Sequence, residues 1–178
     1  QIDTGKIIFQ QKISVGENET AGELHDKLMA AGADLVLKTV KAIESGNYTE
    51  TVQSDLAKGQ ELRSAPKIFK EDCKINWNDP PGKVHNFIRG LSPYPGAHTG
   101  FISPDGKVHS VKIFSANPEN TPDFLPAGQI ISDNDASIKI SCNKGIINIT
   151  ELQLAGKKRM TAKEFLRGFR IEKVWKAT

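Results

Sequence analysis

HTGFISPDGKVHSVKIFSA, residues 98–116, is the segment that decides how the second half of the chain folds. It holds two strand-like runs, His98–Ile102 and Lys107–Ala116, on either side of Pro104-Asp105-Gly106. Apolar and polar residues that alternate with a period of two are typical of strands, and an Asp-Gly pair between two such runs is typical of a hairpin turn. The segment therefore predicts an antiparallel strand pair.

Further strand candidates follow this hairpin along the chain. They are Gly128–Ser132, Ser137–Ser141 and Ile146–Leu154, and Asn143-Lys144-Gly145 predicts a second tight turn. Five short strands joined by tight turns suit a small closed barrel, which makes this region a candidate for oligonucleotide binding. Thr161 and Glu164 have the spacing of a capping box and predict a short helix after the last strand.

The first 48 residues have a different texture. Ile7–Phe9 is an apolar run that predicts a buried strand, and Thr20 with Glu23 predicts a capping box at the start of a helix. Apolar residues at helical spacing continue to residue 43, and Gly32 either divides this helix in two or kinks it. Gly46 is suited to a left-handed helix cap.

Residues 49–66 are polar and weakly patterned, and we interpret them as a linker that ends at Pro66. Beyond it, Asp79-Pro80-Pro81 resembles a helix N-cap with proline in the first turn, and Ser92–Gly96 predicts a rigid turn. We expect most of the aromatic residues to pack in a core rather than to stack on bases; they are Trp77, Phe87, Tyr94, Phe114 and Phe165, while Trp175 fits either role.

The net charge of +3 is unevenly distributed along the chain. Residues 1–60 hold six Lys or Arg against nine Asp or Glu, whereas residues 155–178 hold eight basic residues against two acidic ones. A basic end of this kind favours a polyanionic partner, with nucleic acid ahead of a membrane, about as strongly as it favours a solvated tail.

No apolar run approaches the roughly 20 residues of a membrane helix, and no signal peptide opens the chain. The chain begins at Gln1 in a strand-like run, so we expect it to be a fragment or a processed product.

Cys73 and Cys142 lie far apart and have no CxxC partner. We therefore expect two free buried thiols in a cytoplasmic protein, with a disulfide as the alternative, and no metal site. The four histidines also lack ligand spacing.

Several segments in succession resemble the C-terminal part of methionyl-tRNA formyltransferases. Ile2–Ile8 is similar to the Asp-x-Gly motif of the formyltransferase superfamily, and the other landmarks follow in the family's order; they are Thr20–Leu28, Ala65–Asp72, Ile75–Trp77, Ile88–Ala97 and Leu152–Met160. The resemblance implies an α+β fragment. Residues 1–48 would be the C-terminal tail of a Rossmann-like formyltransferase domain, a strand plus helices, and residues 67–178 an OB-fold-like barrel of five or six strands that binds tRNA.

The resemblance also implies an activity for the full-length parent. The family transfers a formyl group from 10-formyltetrahydrofolate to the amino group of methionine on initiator tRNA, in the cytoplasm and without a metal. Its catalytic residues are an Asn, a His and an Asp, and Asp3 matches the Asp by motif. A carboxylate there can orient an imidazole and help to manage protons as the amine attacks. Because the Asn and His belong to a region outside this chain, we expect the fragment alone to be inactive.

Basic residues in the second half are the candidates for contact with the tRNA backbone, since each can neutralise a phosphate. They are Lys67, Lys70, Arg89, Lys157, Lys158, Arg159, Arg167 and Arg170. Consecutive Lys157, Lys158 and Arg159 form the strongest cluster, because three adjacent cations repel unless an anion lies close. Lys6 stands where the family often has an acidic residue, and it would lie near the folate, near tRNA phosphates or on the surface.

Two other functions fit the sequence less well: a stand-alone tRNA-binding module, and another formyltetrahydrofolate-dependent formyltransferase with a different acceptor. We expect the full-length parent to be a monomer. In the fragment, apolar faces at Ile7, Ile8, Leu24 and Leu28 would be exposed, which predicts altered packing or self-association.

Overall fold

The computed structural model describes residues 4–59, 61–120, 125–172 and 174–178. The chain divides into two compact units. The first comprises Gln1–Glu17 and Glu23–Lys67, and the second comprises Asn18–Gly22 and Ile68–Thr178.

Helices dominate the first unit. Helix α1 spans Ala21–Ser45 and α2 spans Gln53–Leu56. Gly32 neither divides nor ends α1, which is continuous to Ser45, and Gly46 adopts the expected left-handed conformation with φ of 68°. No residue of α1 is buried, and Leu28 is exposed, as expected for an apolar face.

The strand predicted at Ile7–Phe9 is wrong. Ile7 makes a single antiparallel bridge with Thr51, through hydrogen bonds of 2.8 and 2.9 Å between their backbones. The partner segment cannot extend this pairing, because it turns into α2 at Gln53. The region interpreted as a linker therefore contains a helix.

The second unit is built around an antiparallel sheet with helices packed on it. Its helices are α3 (Pro81–Leu91) and α4 (Ala162–Gly168), and a short 3-10 helix covers Glu71–Cys73. Its strands are β1 (Ala97–Ile102), β2 (Val108–Glu119), β3 (Ile130–Ser132), β4 (Ile138–Cys142), β5 (Gly145–Leu154), β6 (Met160–Thr161) and β7 (Lys176–Ala177).

The order of the strands across the sheet is β3-β4-β5-β2-β1-β7, with β6 beside β5. Its two ends approach each other: the Ala177 N–H donates to the Gly128 carbonyl at 2.7 Å, and the Ile130 N–H donates to the Trp175 carbonyl at 3.0 Å. The sheet is therefore nearly closed into a barrel. The five predicted strands are confirmed, but the described residues form seven, not five or six, because the chain end adds β7 and the segment before α4 adds β6.

Buried apolar residues of the strands fill the interior of this sheet, and α3 and α4 cover it. The fully buried members include Phe101, Val111, Ile113, Ile138, Ile140, Ile147, Ile149 and Leu152. The predicted capping box of α4 is confirmed, since Thr161 and Glu164 make both reciprocal hydrogen bonds. The residue that caps α3 is Pro80 rather than Asp79, whose carboxylate instead pairs with Lys83 at 2.9 Å.

The aromatic residues divide between core and surface. Trp77, Phe114 and Phe165 are buried, as expected for core packing, and Trp175, for which the sequence left both roles open, is buried as well. Tyr94 is 85% exposed, which contradicts the prediction that it packs, because the turn around it projects its ring into solvent. Both cysteines are free and buried, as predicted. Within the described parts of the chain, no helix is long and apolar enough to cross a bilayer.

Candidate nucleic-acid interface

In the second unit, Lys112 on the sheet lies between two segments that each carry a further lysine, Lys70 and Lys157. His98 on β1 donates from Nε2 to the backbone carbonyl of Lys70 at 3.0 Å and pairs in register with Lys112 on β2. Lys112 in turn pairs with Gln153 on β5, whose amide donates to the Lys157 carbonyl at 2.7 Å. We call Lys70, Lys112 and Lys157 the basic row.

Lys112, the middle member of the basic row, lies on the outer face of the barrel. Lys112 is exposed between the fully buried Val111 and Ile113, so alternation along β2 sends its side chain outward. Lys70 and Lys157 are exposed as well. Because neighbouring strands lie about 4.8 Å apart, β1, β2 and β5 together span about 10 Å, which is long enough to follow a stretch of a nucleic-acid backbone.

Local contacts hold the members of the row in place. The Lys112 ammonium donates to the Pro95 carbonyl at 2.8 Å while the residue stays exposed. Lys157 lies in the turn after β5, where its N–H donates to the Leu154 carbonyl at 2.9 Å. The turn is thus fixed by its backbone, and the Lys157 side chain projects from a defined position.

Arg159 differs from its two lysine neighbours, because it already has partners. Its guanidinium donates to the Glu151 carboxylate through Nε and Nη2 and lies 4.7 Å from the centre of the Phe114 ring. Phe114 is buried where β2 is bulged against β5. The Arg159 side chain therefore packs against the Phe114 ring as well as carrying charge.

Lys158 and Arg167 approach one carboxylate. The pKa of Glu164 is held below its ordinary value first by hydrogen bonds from the backbone and side chain of Thr161, and further by the charges of Lys158 and Arg167. Both cations are exposed. Lys158 before β6 and Arg167 in the last turn of α4 thus both add positive charge around the capping carboxylate of this helix.

The Arg89 side chain already makes hydrogen bonds within the second unit. Its Nε donates to the Asn86 side chain at 2.7 Å, and its Nη1 donates to the Glu19 carbonyl at 2.8 Å. The Gly22 N–H beside this segment also donates to the Ser92 carbonyl at 3.0 Å. Arg89 therefore holds residues 18–22 against α3, and it is half-buried.

The contacts that connect the basic row do not involve the remaining candidates. Lys67 is exposed at the end of the first unit, and Arg170 lines a groove beside α4. Asp3, the candidate catalytic residue, lies outside the described residues. Lys6 is on the surface, where its ammonium pairs with Glu50 at 2.7 Å, a contact that raises its pKa. Across the described residues, no cluster of His, Cys, Asp and Glu could hold a metal ion.

Lys112 is the member of the row that the sequence analysis did not select. The signal was present, since a lysine between buried Val111 and Ile113 in a predicted strand must face outward. What was missing was the register, which brings Lys112 next to His98 from one strand and Gln153 from another.

The fold and the sequence together define the class of this chain. A model of the formyl transferase C-terminal domain matches residues 67–170, which is more than half of the chain. The chain therefore belongs to the formyl transferase C-terminal domain family.

Methionyl-tRNA formyltransferases are the curated relatives that the chain resembles. It is 44% identical over 176 residues to that of Bacteroides thetaiotaomicron, covering 99% of this chain and 55% of the relative. It is 46% identical over 170 residues to that of Azobacteroides pseudotrichonymphae, covering 94% of this chain and 52% of the relative. The chain thus spans about half the length of these relatives.

Solved structures show the same fold at low sequence identity. HypX from Aquifex aeolicus in complex with tetrahydrofolic acid superimposes with a TM-score of 0.62 at 20% identity, covering 100% of this chain and 32% of HypX. At this identity the likeness concerns the fold alone.

Proposed function

We propose that this chain is the C-terminal half of a methionyl-tRNA formyltransferase and that its second unit binds the backbone of initiator tRNA along the basic row. The observation that carries this proposal is the sheet register, which places exposed Lys112 on the outer face of the barrel between the segments that carry Lys70 and Lys157. The relatives at 44% and 46% identity, which are methionyl-tRNA formyltransferases, support the choice of substrate.

The physical basis is release of counterions. Each lysine that neutralises a phosphate displaces condensed cations from the RNA, so that affinity falls as salt rises. The row reads no base edges and therefore positions the RNA without specifying its sequence. Lys158, which follows Lys157 in the chain, and Arg167 would add further contacts, and Lys67, Arg89, Arg159 and Arg170 would extend the candidate surface.

The chemistry would belong to the full-length protein. That protein would transfer a formyl group from 10-formyltetrahydrofolate to the amino group of methionyl-tRNA, as a cytoplasmic monomer, with Asp3 as the carboxylate of its catalytic set. Residues 1–48 would be the end of the Rossmann-like catalytic domain, 49–66 the connection, and 67–178 the OB-like tRNA-binding domain. The fragment alone would not catalyse formylation, and it would be prone to self-association through the apolar face of α1.

Binding of initiator tRNA measured as a function of salt tests this proposal. Replacing the three lysines of the row by alanine should lower the slope of log affinity against log salt by about 2 to 3, because each phosphate contact contributes about 0.7 to 0.9. The matched control removes three exposed lysines elsewhere, Lys12, Lys41 and Lys144, and should leave the slope nearly unchanged. Equal slopes for the two triple variants would refute the role of the row.

A further inference from the structure

A groove beside the β1–β2 hairpin is lined by aromatic rings that the basic row does not use. It has a volume of about 510 Å³, within the range of small-molecule sites, and its lining includes His109, Phe169 and Trp175. His109 lies on β2, Phe169 directly follows α4, and Trp175 lies just before β7. Three separate elements therefore bring their rings together at one place.

These rings form an ordered stack. The rings of His109 and Trp175 are stacked with their planes inclined at 27° and their centres 5.4 Å apart, and Phe169 meets His109 edge-on at 5.1 Å and Trp175 edge-on at 5.4 Å. Trp175 is buried, whereas His109 and Phe169 are only partly buried. The stack thus has a buried base and two partly exposed rings that line the groove.

The charges around the groove are balanced. Among the described residues that line it, Lys107 and Arg170 are basic, and Asp105 and Glu172 are acidic. Asp105 is also committed to its turn, because it accepts hydrogen bonds from the Ser103 hydroxyl and the Lys107 N–H. A balanced rim does not favour a phosphate, but it suits a neutral aromatic ring, which gains from stacking on other rings.

One polar atom of the stack lacks a partner. The Nε1–H of Trp175 is buried and has no hydrogen-bond partner among the residues that the structure describes. A buried tryptophan N–H usually finds an acceptor, because leaving it unpaired costs free energy. Nucleobases carry ring nitrogens and carbonyl oxygens that accept hydrogen bonds.

We propose that this groove binds one unpaired nucleobase of the RNA held by the basic row, stacked on Phe169 with His109 meeting it edge-on, and that entry of the base uncovers the buried Trp175 N–H and gives it an acceptor. This inference rests on the proposed function, because it requires RNA to be bound. It assigns to the aromatic cluster a recognition role that the lysines cannot supply, namely a preference for RNA with an unstacked nucleotide.

The test compares two RNA probes, a blunt hairpin and the same hairpin with a short unpaired 3′ extension, on the full 178-residue chain. The wild-type chain should bind the extended hairpin about fivefold or more tightly, as expected for one base stacked on an aromatic side chain. Phe169→Leu, which keeps an apolar side chain against Phe165 and Trp175, should abolish this preference without changing the salt slope. Phe87→Leu, a partly buried phenylalanine that does not line the groove, should retain it.

Tryptophan fluorescence gives a second readout. The extended hairpin should quench the emission of the wild-type chain more than the blunt hairpin does, and Trp175→Phe should remove that difference. If both hairpins bind equally well, or if Phe169→Leu keeps the preference, the groove does not hold a base although the proposed function stands. If neither hairpin binds at low salt, the proposed function fails and this inference fails with it.

Discussion

Thr99→Val should destabilise the second unit strongly, because one hydroxyl joins three segments of it. Thr99 is 2% exposed; its Oγ1 accepts a hydrogen bond from Trp77 Nε1 at 3.0 Å and donates to the Thr178 carbonyl at 2.8 Å. Trp77 belongs to the segment that follows Lys70, and Thr178 ends the described chain. Valine has nearly the same shape but offers neither donor nor acceptor.

The size of the effect follows from these contacts. The indole N–H of Trp77, which is 4% exposed, would lose its acceptor, and an unsatisfied buried donor costs about 1–3 kcal/mol. Loss of the second bond adds about 1 kcal/mol, so the free energy of unfolding should fall by about 2–4 kcal/mol. With urea m-values of about 1–3 kcal/mol/M, the urea midpoint should fall by about 0.7–4 M, or about 1.5 M for the central values of both ranges.

Urea unfolding followed by tryptophan fluorescence measures this directly, because both tryptophans lie in the second unit. Thr150→Val is the matched control: the Thr150 hydroxyl donates to Ser115 Oγ at 2.8 Å, but Ser115 is only partly buried and can bond to water instead. The control should lose about 1 kcal/mol or less. If Thr99→Val lost no more than Thr150→Val, the reasoning about the three-segment junction would be refuted.

Three further predictions concern barrel closure, pH and thiol reactivity. Gly128→Ala should lower the free energy of unfolding, measured by urea titration, by about 2 kcal/mol or more. Gly128 has φ of 83°, and a Cβ there would lie 2.5 Å from the Ala177 carbonyl oxygen. A smaller loss would show that the barrel tolerates opening at this position. The pKa of Glu164 is lowered in the folded chain, so its ionised form stabilises α4 fully above the ordinary pKa of 4.5, and this contribution is lost as pH falls through the folded pKa. In urea unfolding, the stability advantage of wild type over Glu164→Gln should therefore disappear in acid. A difference that stays constant with pH would contradict this. Burial raises the pKa of the Cys142 thiol to about 11. Alkylation of Cys142 by iodoacetamide at pH 8, measured by mass spectrometry, should therefore be slow until the chain unfolds. Rapid alkylation of Cys142 in the native chain would contradict this prediction.

Local sequence signals predicted much of the second unit. The Pro104-Asp105-Gly106 turn, the alternation on both sides of it and the capping box before Phe165 each act over a few residues, and the structure has all three where the sequence indicated. The strands β6 and β7 have two residues each, too few for any periodicity to appear. β7 forms because the chain end pairs with β1, a contact between distant parts of the sequence, and β6 forms by pairing with the preceding strand β5.

The first unit and the basic row also depend on contacts between residues far apart in the sequence, which local patterns do not predict. Ile7 has an apolar context that favours a strand, but its partner Thr51 is followed at once by a helix. The row depends on the registers of two strand pairs, which set Lys112 beside His98 and Gln153. Composition could predict that the second half is basic, but only the register could show which cations share a face.

Lysine footprinting in the presence of initiator tRNA tests the central claim most directly. The chain would be acetylated with and without tRNA at low salt, and the modification of each lysine measured by mass spectrometry. We expect Lys70, Lys112 and Lys157 to be protected together, while exposed Lys41 and Lys144 react equally in both conditions. Uniform reactivity of all five lysines, or protection of the control pair alone, would contradict the assignment of this face to RNA.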